Sequence, residues 1–237
     1  MTYIILAAGK GNNLHPLTLK YAKTSFKLDD NTTVLQRMVR SIRKRDKSAE
    51  IVVVVGYKAD DIRNELADES VIFISNPFYE VTNSISSVWF ARDYLERENI
   101  TIVHGDVVFS DEIIESYLIK PSDYSYVLVD SSKATQGSYN VITKENQVLV
   151  MSKKLENFYA RYCCMTKLDP VSSRLLKEEI DEMINNNMYD QYFEDSLVQM
   201  ILFRDFQLFV EDISGKQWAE VDTVDDFLTA QKIHRGE

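Results

Sequence analysis

Apolar residues fall along this chain in two alternating rhythms. Tyr3 to Ala7 is a continuous, partly β-branched apolar run that stops at a glycine-containing loop, which predicts a strand buried on both faces. Between Thr32 and Arg45 the spacing changes. Val34, Leu35, Met38, Val39 and Ile42 recur at helical intervals with basic residues between them, the pattern of a helix with one buried face. Ile51 to Val55 returns to an unbroken apolar run, closed by Gly56. A short helix over Asp60 to Leu66, a strand over Val71 to Ile74, a helix over Ser86 to Glu96 and a strand over Ile100 to His104 follow. Strand and helix alternating at this spacing predict crossover units and a mainly parallel sheet.

After Asp106 the pattern shifts to shorter strand segments, Tyr124 to Asp130, Asn140 to Ile142, Val148 to Met151 and Ala160 to Met165. Helices are expected over Ser172 to Asn186 and Phe193 to Phe203, and a late strand over Phe206 to Val210. The class expected is therefore α/β, a mixed and mostly parallel central sheet flanked by helices. No internal repeat and no long Pro/Gly/Ser linker interrupts residues 1–237, so a single domain is expected.

Composition narrows the function classes. The chain has 237 residues, 45% of them hydrophobic, enough to bury a sizeable core. No stretch approaches the roughly 18 apolar residues of a membrane-spanning helix, and no membrane insertion is expected. The N-terminus lacks the pattern of a secretory leader, since Gly9, Lys10 and Gly11 interrupt it early. The net charge of −10 argues against a nucleic-acid partner. Cys163 and Cys164 are adjacent and the only cysteines, a spacing that serves neither a structural disulfide nor a zinc site and that fits a reduced, cytoplasmic compartment. His15, His104 and His234 are dispersed, and no transition metal is expected. Trp89 and Trp218 read as packing residues.

Two of the seven glycines lie in the loop from Leu6 to Thr18, directly after the first strand. Glycine allows backbone amides to approach a phosphate, and Lys10 adds charge. Glycine spacing alone leaves an ordinary tight turn equally open. The dinucleotide fingerprint would need a third glycine where Leu14 stands, and no Walker-type Gly-Lys-Ser follows.

The run Leu6, Ala7, Ala8, Gly9, Lys10, Gly11, followed by Leu14, Pro16 to Thr18 and Lys23, resembles the signature loop of the nucleotidyltransferases that make nucleoside-diphosphate sugars and alcohols. Val103 to Asp106 looks like the family's metal-binding strand end, and Glu220 to Asp226 like its second metal motif, all in the family's order. Asn76 to Tyr79 and Thr82 to Ser87 resemble the small cytidylyltransferases that activate phosphocholine and related compounds, so the resemblance spans nearly the whole chain. Two positions depart: Asn13 stands where the family has an arginine that contacts the triphosphate, and Ala22 where it has proline.

The resemblance implies a Rossmann-like nucleotidyltransferase fold of the GT-A type. It also implies magnesium held by Asp106 and Asp222, with Lys23 meeting charge at the transferred phosphorus. It places Leu6 to Gly11, Lys23, Asn83, Ser87 and Gly105 at the nucleotide. From the residues alone, Asn83 and its serines could equally cap the next helix. Lys154, together with its neighbour Lys153, is expected at the acceptor phosphate. Tyr192, Glu194 and Asp195 are expected at a cationic amine, although an acidic helix start reads the same way. The stretch from Phe158 to Cys164 departs from the smaller, glycine-containing one expected there, and is where an unusual acceptor would be read.

The expected activity is transfer of CMP from CTP to a small phosphate or phosphonate acceptor, with release of pyrophosphate, serving cell-surface polysaccharide or lipid modification. Phosphocholine, 2-aminoethylphosphonate and a phosphoramidate such as phosphoglutamine are the acceptors considered. A sugar-1-phosphate nucleotidyltransferase and a catalytically inactive, nucleotide-binding regulatory protein are the alternatives.

Overall fold

The computed structural model describes residues 1–237. In chain order the first elements are β1 (Thr2–Ala7), α1 (Val34–Arg45), β2 (Glu50–Val55), α2 (Ala59–Glu65), β3 (Ile72–Ser75), α3 (Ser84–Phe90) and β4 (Ile100–His104). Next come β5 (Val107–Phe109) and α4 (Asp111–Ile113), which runs on as a π-helix over Ile114–Leu118. The rest are β6 (Tyr126–Asp130), β7 (Asn140–Lys144), β8 (Gln147–Ser152), β9 (Ala160–Leu168), α5 (Pro170–Asn185), α6 (Phe193–Phe203), β10 (Phe209–Asp212), β11 (Trp218–Glu220) and α7 (Val224–Arg235).

Nine strands form one sheet in the order β3-β2-β1-β4-β9-β6-β10-β8-β7. It is parallel from β3 to β4, and beyond β4 it is antiparallel except for β6 with β10. This is the α/β, mixed-sheet class expected. The unbroken apolar strands serve both faces of the sheet. Tyr3, Ile5, Ile51 and Val53 pack with Leu35 and Met38 of α1 on one side. Ile4, Val52 and Val54 pack with Val88 of α3, Ile180 of α5 and Leu197 of α6 on the other.

Several boundaries differ from the periodicity. The helix expected over Ser86 to Glu96 ends at Phe90, where Ala91 leaves helical geometry, and resumes as a 3-10 segment over Arg92–Glu96. Trp89 is pinned at that break, its indole donating to Asp181 of α5 at 2.8 Å with the Arg92 guanidinium 4.0 Å over its ring. The late strand expected over Phe206 to Val210 forms over Phe209–Asp212. Pairing with Tyr126 to Val129 of β6 sets that register. The α4 segment and the short antiparallel ribbon β5–β11 were not expected, because three-residue elements carry too little periodicity to be read; α7, twelve residues long, was not expected either.

Candidate active site

One wall of the main cleft, about 470 Å³ in volume, is made by the ends of parallel strands. Register places Leu6 of β1 opposite His104 of β4, so the loop after β1 and the turn after β4 emerge at one sheet edge. The Gly105 amide donates to the Leu6 carbonyl at 2.8 Å, and a Cβ on Gly105 would lie 3.0 Å from that oxygen. Gly11 adopts φ 68°, and a Cβ there would press on the Lys23 methylenes at 3.0 to 3.2 Å. Glycine therefore lets the Lys23 stem cross the loop.

Lys23 ends between two carboxylates, Asp106 and Asp222, with Asp222 Oδ1 at 2.8 Å. The ribbon explains how residues so distant in sequence meet. β5 pairs with β11, Val107 facing Glu220, and the Val221 amide donates to the Asp106 carbonyl at 3.0 Å. Burial pulls the Lys23 ammonium down, but Asp106 and Asp222 outweigh it and hold its pKa well above the ordinary value. Burial pushes Asp106 up, and Lys23 and His104 together overcome that and lower it. Asp106 Oδ1 is buried with no hydrogen-bond partner, and carboxylate oxygens of Asp106, Glu220 and Asp222 lie within 4.8 Å of one another. A set of hard oxygen donors with one orphaned oxygen fits a divalent cation such as magnesium.

The opposite wall is built from side chains on β9 and α6, with Tyr139 just before β7, Lys153 in the turn after β8 and Tyr192 at the start of α6. At the start of α6, Asp195 accepts from the Tyr192 amide at 3.0 Å, and its other oxygen accepts from the Tyr139 hydroxyl at 2.7 Å. Glu194 points the other way. Its side chain is 1% exposed, Oε1 lies 2.9 Å from His104 Nε2, and Oε2 has no partner. Burial pulls the His104 imidazole down, but Glu194, with Asp106 and Glu220 behind it, raises it to about 9. Lys153 donates to the Tyr192 hydroxyl at 3.2 Å and lies 4.4 Å over its ring. Arg161 donates to Glu220 at 2.7 Å and stacks 5.0 Å from the Trp218 ring. A bulge in β9, with Cys164 at φ 60°, breaks the alternation of that strand, which lets Arg161, Tyr162 and Cys164 all face the cleft.

Of the nucleotide residues expected from the sequence, Leu6, Ala8, Gly9, Gly11, Lys23, Asn83 and Ser87 line the cleft, as do Asp106 and Asp222. So do Tyr192 and Glu194 of the acceptor set. Ala7, Gly105 and Asp195 stand behind this surface and do not line it. Lys10 turns away to Glu80 at 2.7 Å. Lys154 is exposed outside the cleft, its amide donating to Ser152 Oγ at 3.1 Å, and Lys153 takes the inward position instead. Asn83 also caps α3, accepting from the Ser84 amide at 2.8 Å, and Ser87 Oγ accepts from Asn76 at 3.2 Å. Asn13 lines the cleft too.

His104, Glu220, Arg161, Tyr139 and Tyr162 also line it. All but Tyr139 fall within segments singled out from the sequence, Arg161 and Tyr162 both in the stretch from Phe158 to Cys164, yet none of the five was named individually as a site residue. Two carried a usable signal. His104 precedes Asp106, and Glu220 precedes Asp222, by two positions, the spacing that puts extended residues on one side.

Residues 2–235 match the model of the nucleotidyl transferase family. The CTP:phosphoglutamine cytidylyltransferase of Campylobacter jejuni is 24% identical over 95% of this chain and 97% of that one. The 2-aminoethylphosphonate cytidylyltransferase of Lancefieldella rimae is 27% identical over 93% of this chain and 88% of its own length. Among solved structures, the CTP:phosphocholine cytidylyltransferase of Streptococcus pneumoniae superposes with a TM-score of 0.79 at 17% identity, covering 98% of each chain. With these likenesses and the cleft in place, the chain belongs to the nucleotidyl transferase family.

Proposed function

We propose that this chain transfers CMP from CTP to a small phosphate or phosphonate acceptor that carries a cationic group, releasing pyrophosphate. The observation that carries the reading is the division of one cleft between a lysine held by two aspartates and a buried glutamate among tyrosines. The cytidylyltransferase relatives support the nucleotide and the acceptor class.

All reacting partners are anionic, so the wall near β1 must gather them. The loop amides from Ala8 to Gly11 face the triphosphate, and Lys23 meets the charge that grows at the α-phosphorus. Asp106 and Asp222 would hold magnesium, which would supply neutralising charge to phosphate oxygens. An acceptor oxygen forms the new bond to the α-phosphorus while the α–β bridging bond breaks and pyrophosphate leaves. The acceptor phosphate is ionised near neutral pH, so no general base is needed. Glu194 Oε2 takes the acceptor cation, with the tyrosine faces around it, and Lys153 takes the acceptor anion.

The test is pyrophosphate release with magnesium and CTP, UTP or dTTP across phosphocholine, 2-aminoethylphosphonate, phosphoglutamine and glucose 1-phosphate. Turnover with CTP and one of the amine or amide acceptors is expected. A preference for glucose 1-phosphate would assign the chain to the sugar branch, and no turnover with any pair would favour a regulatory role.

A further inference from the structure

The ribbon that gathers Asp106 and Asp222 has another end. β5 and β11 run from Val107 opposite Glu220 to Phe109 opposite Trp218, and the Ser110 amide then donates to the Gln217 carbonyl at 2.9 Å. Ser110 and Gln217 line a second cleft of about 470 Å³ between α1 and the end of α7.

This groove is basic on a chain of net charge −10. Arg37, Arg40, Lys44, Arg45 and Arg235 line it, with Asp111 the one carboxylate among the lining residues. Most of these cations are already satisfied: Arg40 by Glu69 at 2.8 Å, Arg45 by Glu115 at 2.9 Å and Asp111 at 3.3 Å, Arg235 by Glu237 at 2.5 Å. His234 lies 2.7 Å from Asp29.

Arg37 is different. Its side chain is only 10% exposed, and its nearest carboxylate, Asp111, stands at 3.9 Å. Lys44 is exposed and has no carboxylate partner. Ser110 Oγ is buried without a hydrogen-bond partner, although Ser110 occupies the N-cap position of α4 and makes no capping bond with its side chain. A mostly buried arginine side chain whose nearest carboxylate stands at 3.9 Å, an exposed lysine without a carboxylate partner and an unused serine hydroxyl converge here. That is the chemistry of an oxyanion receptor.

We propose that this groove binds the phosphate group of a small phosphorylated molecule through Arg37, Lys44 and Ser110, and that the β5–β11 ribbon couples this second site to Asp106 and Asp222. The ribbon is three residues per strand, so a shift of Ser110 is carried along it to the Asp106–Val221 bond.

The test is amide NMR of the full chain, titrated separately with inorganic phosphate, pyrophosphate and CMP. Saturable shifts at Ser110, Asp111 and Gln217, with a smaller response at Val221, are expected. The arms show whether free phosphate, the released pyrophosphate or a nucleotide monophosphate is preferred. Arg37→Gln should weaken binding about tenfold or more, the size of a lost charge-assisted contact. Lys44→Gln, at an exposed position, should weaken it without disturbing the fold, and Asp111→Asn should tighten it. Groove amides that ignore all three anions, or respond equally in all variants, would overturn the proposal and leave the basic groove to an acidic protein surface. The readout uses no turnover, so its failure is distinct from failure of the cytidylyltransferase reading.

Discussion

The two walls of the main cleft are made by different physical means. The wall near β1 is fixed by backbone: a strand-end loop, Gly105 bonded to Leu6, and a ribbon that sets Asp222 beside Asp106. Its side chains form one charge cluster centred on Lys23. The wall near α6 is fixed by side chains that hold one another, Tyr139 with Asp195, Lys153 with Tyr192, and Arg161 with Glu220. A backbone-built wall resists change because moving it means moving strands. A side-chain wall can be rewritten by single substitutions. That division suits a reaction whose nucleotide half is constant and whose acceptor varies.

The comparison is broken most directly at the aspartates. Asp106→Asn and Asp222→Asn should each lower kcat by roughly 100- to 1000-fold, the usual cost of losing a preorganised charge, while circular dichroism shows an intact fold. Asp106 should be the more sensitive, its side chain being 7% exposed against 35% for Asp222. If either variant kept turnover and changed only the KM for the acceptor, the walls would not divide the work as described.

A smaller and more selective effect belongs to the other wall. Glu194→Gln keeps the shape but removes charge at Oε2, so the KM for 2-aminoethylphosphonate should rise about tenfold while the KM for CTP stays unchanged. Ethylphosphonate, which lacks the amine, should show little response. Lys153→Gln should raise the acceptor KM severalfold, whereas Lys154→Gln, outside the cleft, should leave both KM values alone. Equal effects of the two lysine variants would contradict the placement of Lys153.

The two walls also differed in how far they could be read from the sequence. The parallel half declared itself because its strands are unbroken apolar runs and its helices carry regular stripes, as at Val34 to Ile42. The near wall of the cleft was legible for a related reason. Its residues sit in short contiguous motifs, and Lys23, Asp106 and Asp222 all meet at the cleft. On the far wall, Arg161 and Tyr162 come from a strand whose alternation is broken by the β9 bulge, and Tyr139 from the loop just before β7; no local pattern announces where a bulge or a loop turns a side chain. Lys153 and Lys154 show the limit sharply. They are adjacent and chemically identical, and only the turn leaving β8 decides which one faces the cleft.

The smallest effect concerns the scaffold that holds the far wall. β9 ends at Leu168, and Asp169 starts α5 as its N-cap. Its Oδ1 accepts from the Val171 and Ser172 amides at 2.9 and 3.0 Å, and its Oδ2 from the Ser125 and Ser172 hydroxyls at 2.7 and 2.5 Å. Burial pushes this carboxyl up, but the bonds from Ser125, Ser172 and the amides outweigh it, so its pKa lies below the ordinary value. A lowered carboxyl favours the folded state fully above its unfolded pKa of about 3.9 and loses that contribution as pH falls through the folded value. Asp169→Ala should therefore cost about 1 kcal/mol at pH 7, the typical value of a lost N-cap, read as a lower urea midpoint at unchanged slope. The gap between wild type and variant should narrow once pH falls below about 4. Asp169→Asn, which caps without titrating, should keep more of its stability in acid than wild type does. A gap that stayed constant from pH 7 to pH 3 would mean the bonds at Asp169 hold α5 without depending on its charge.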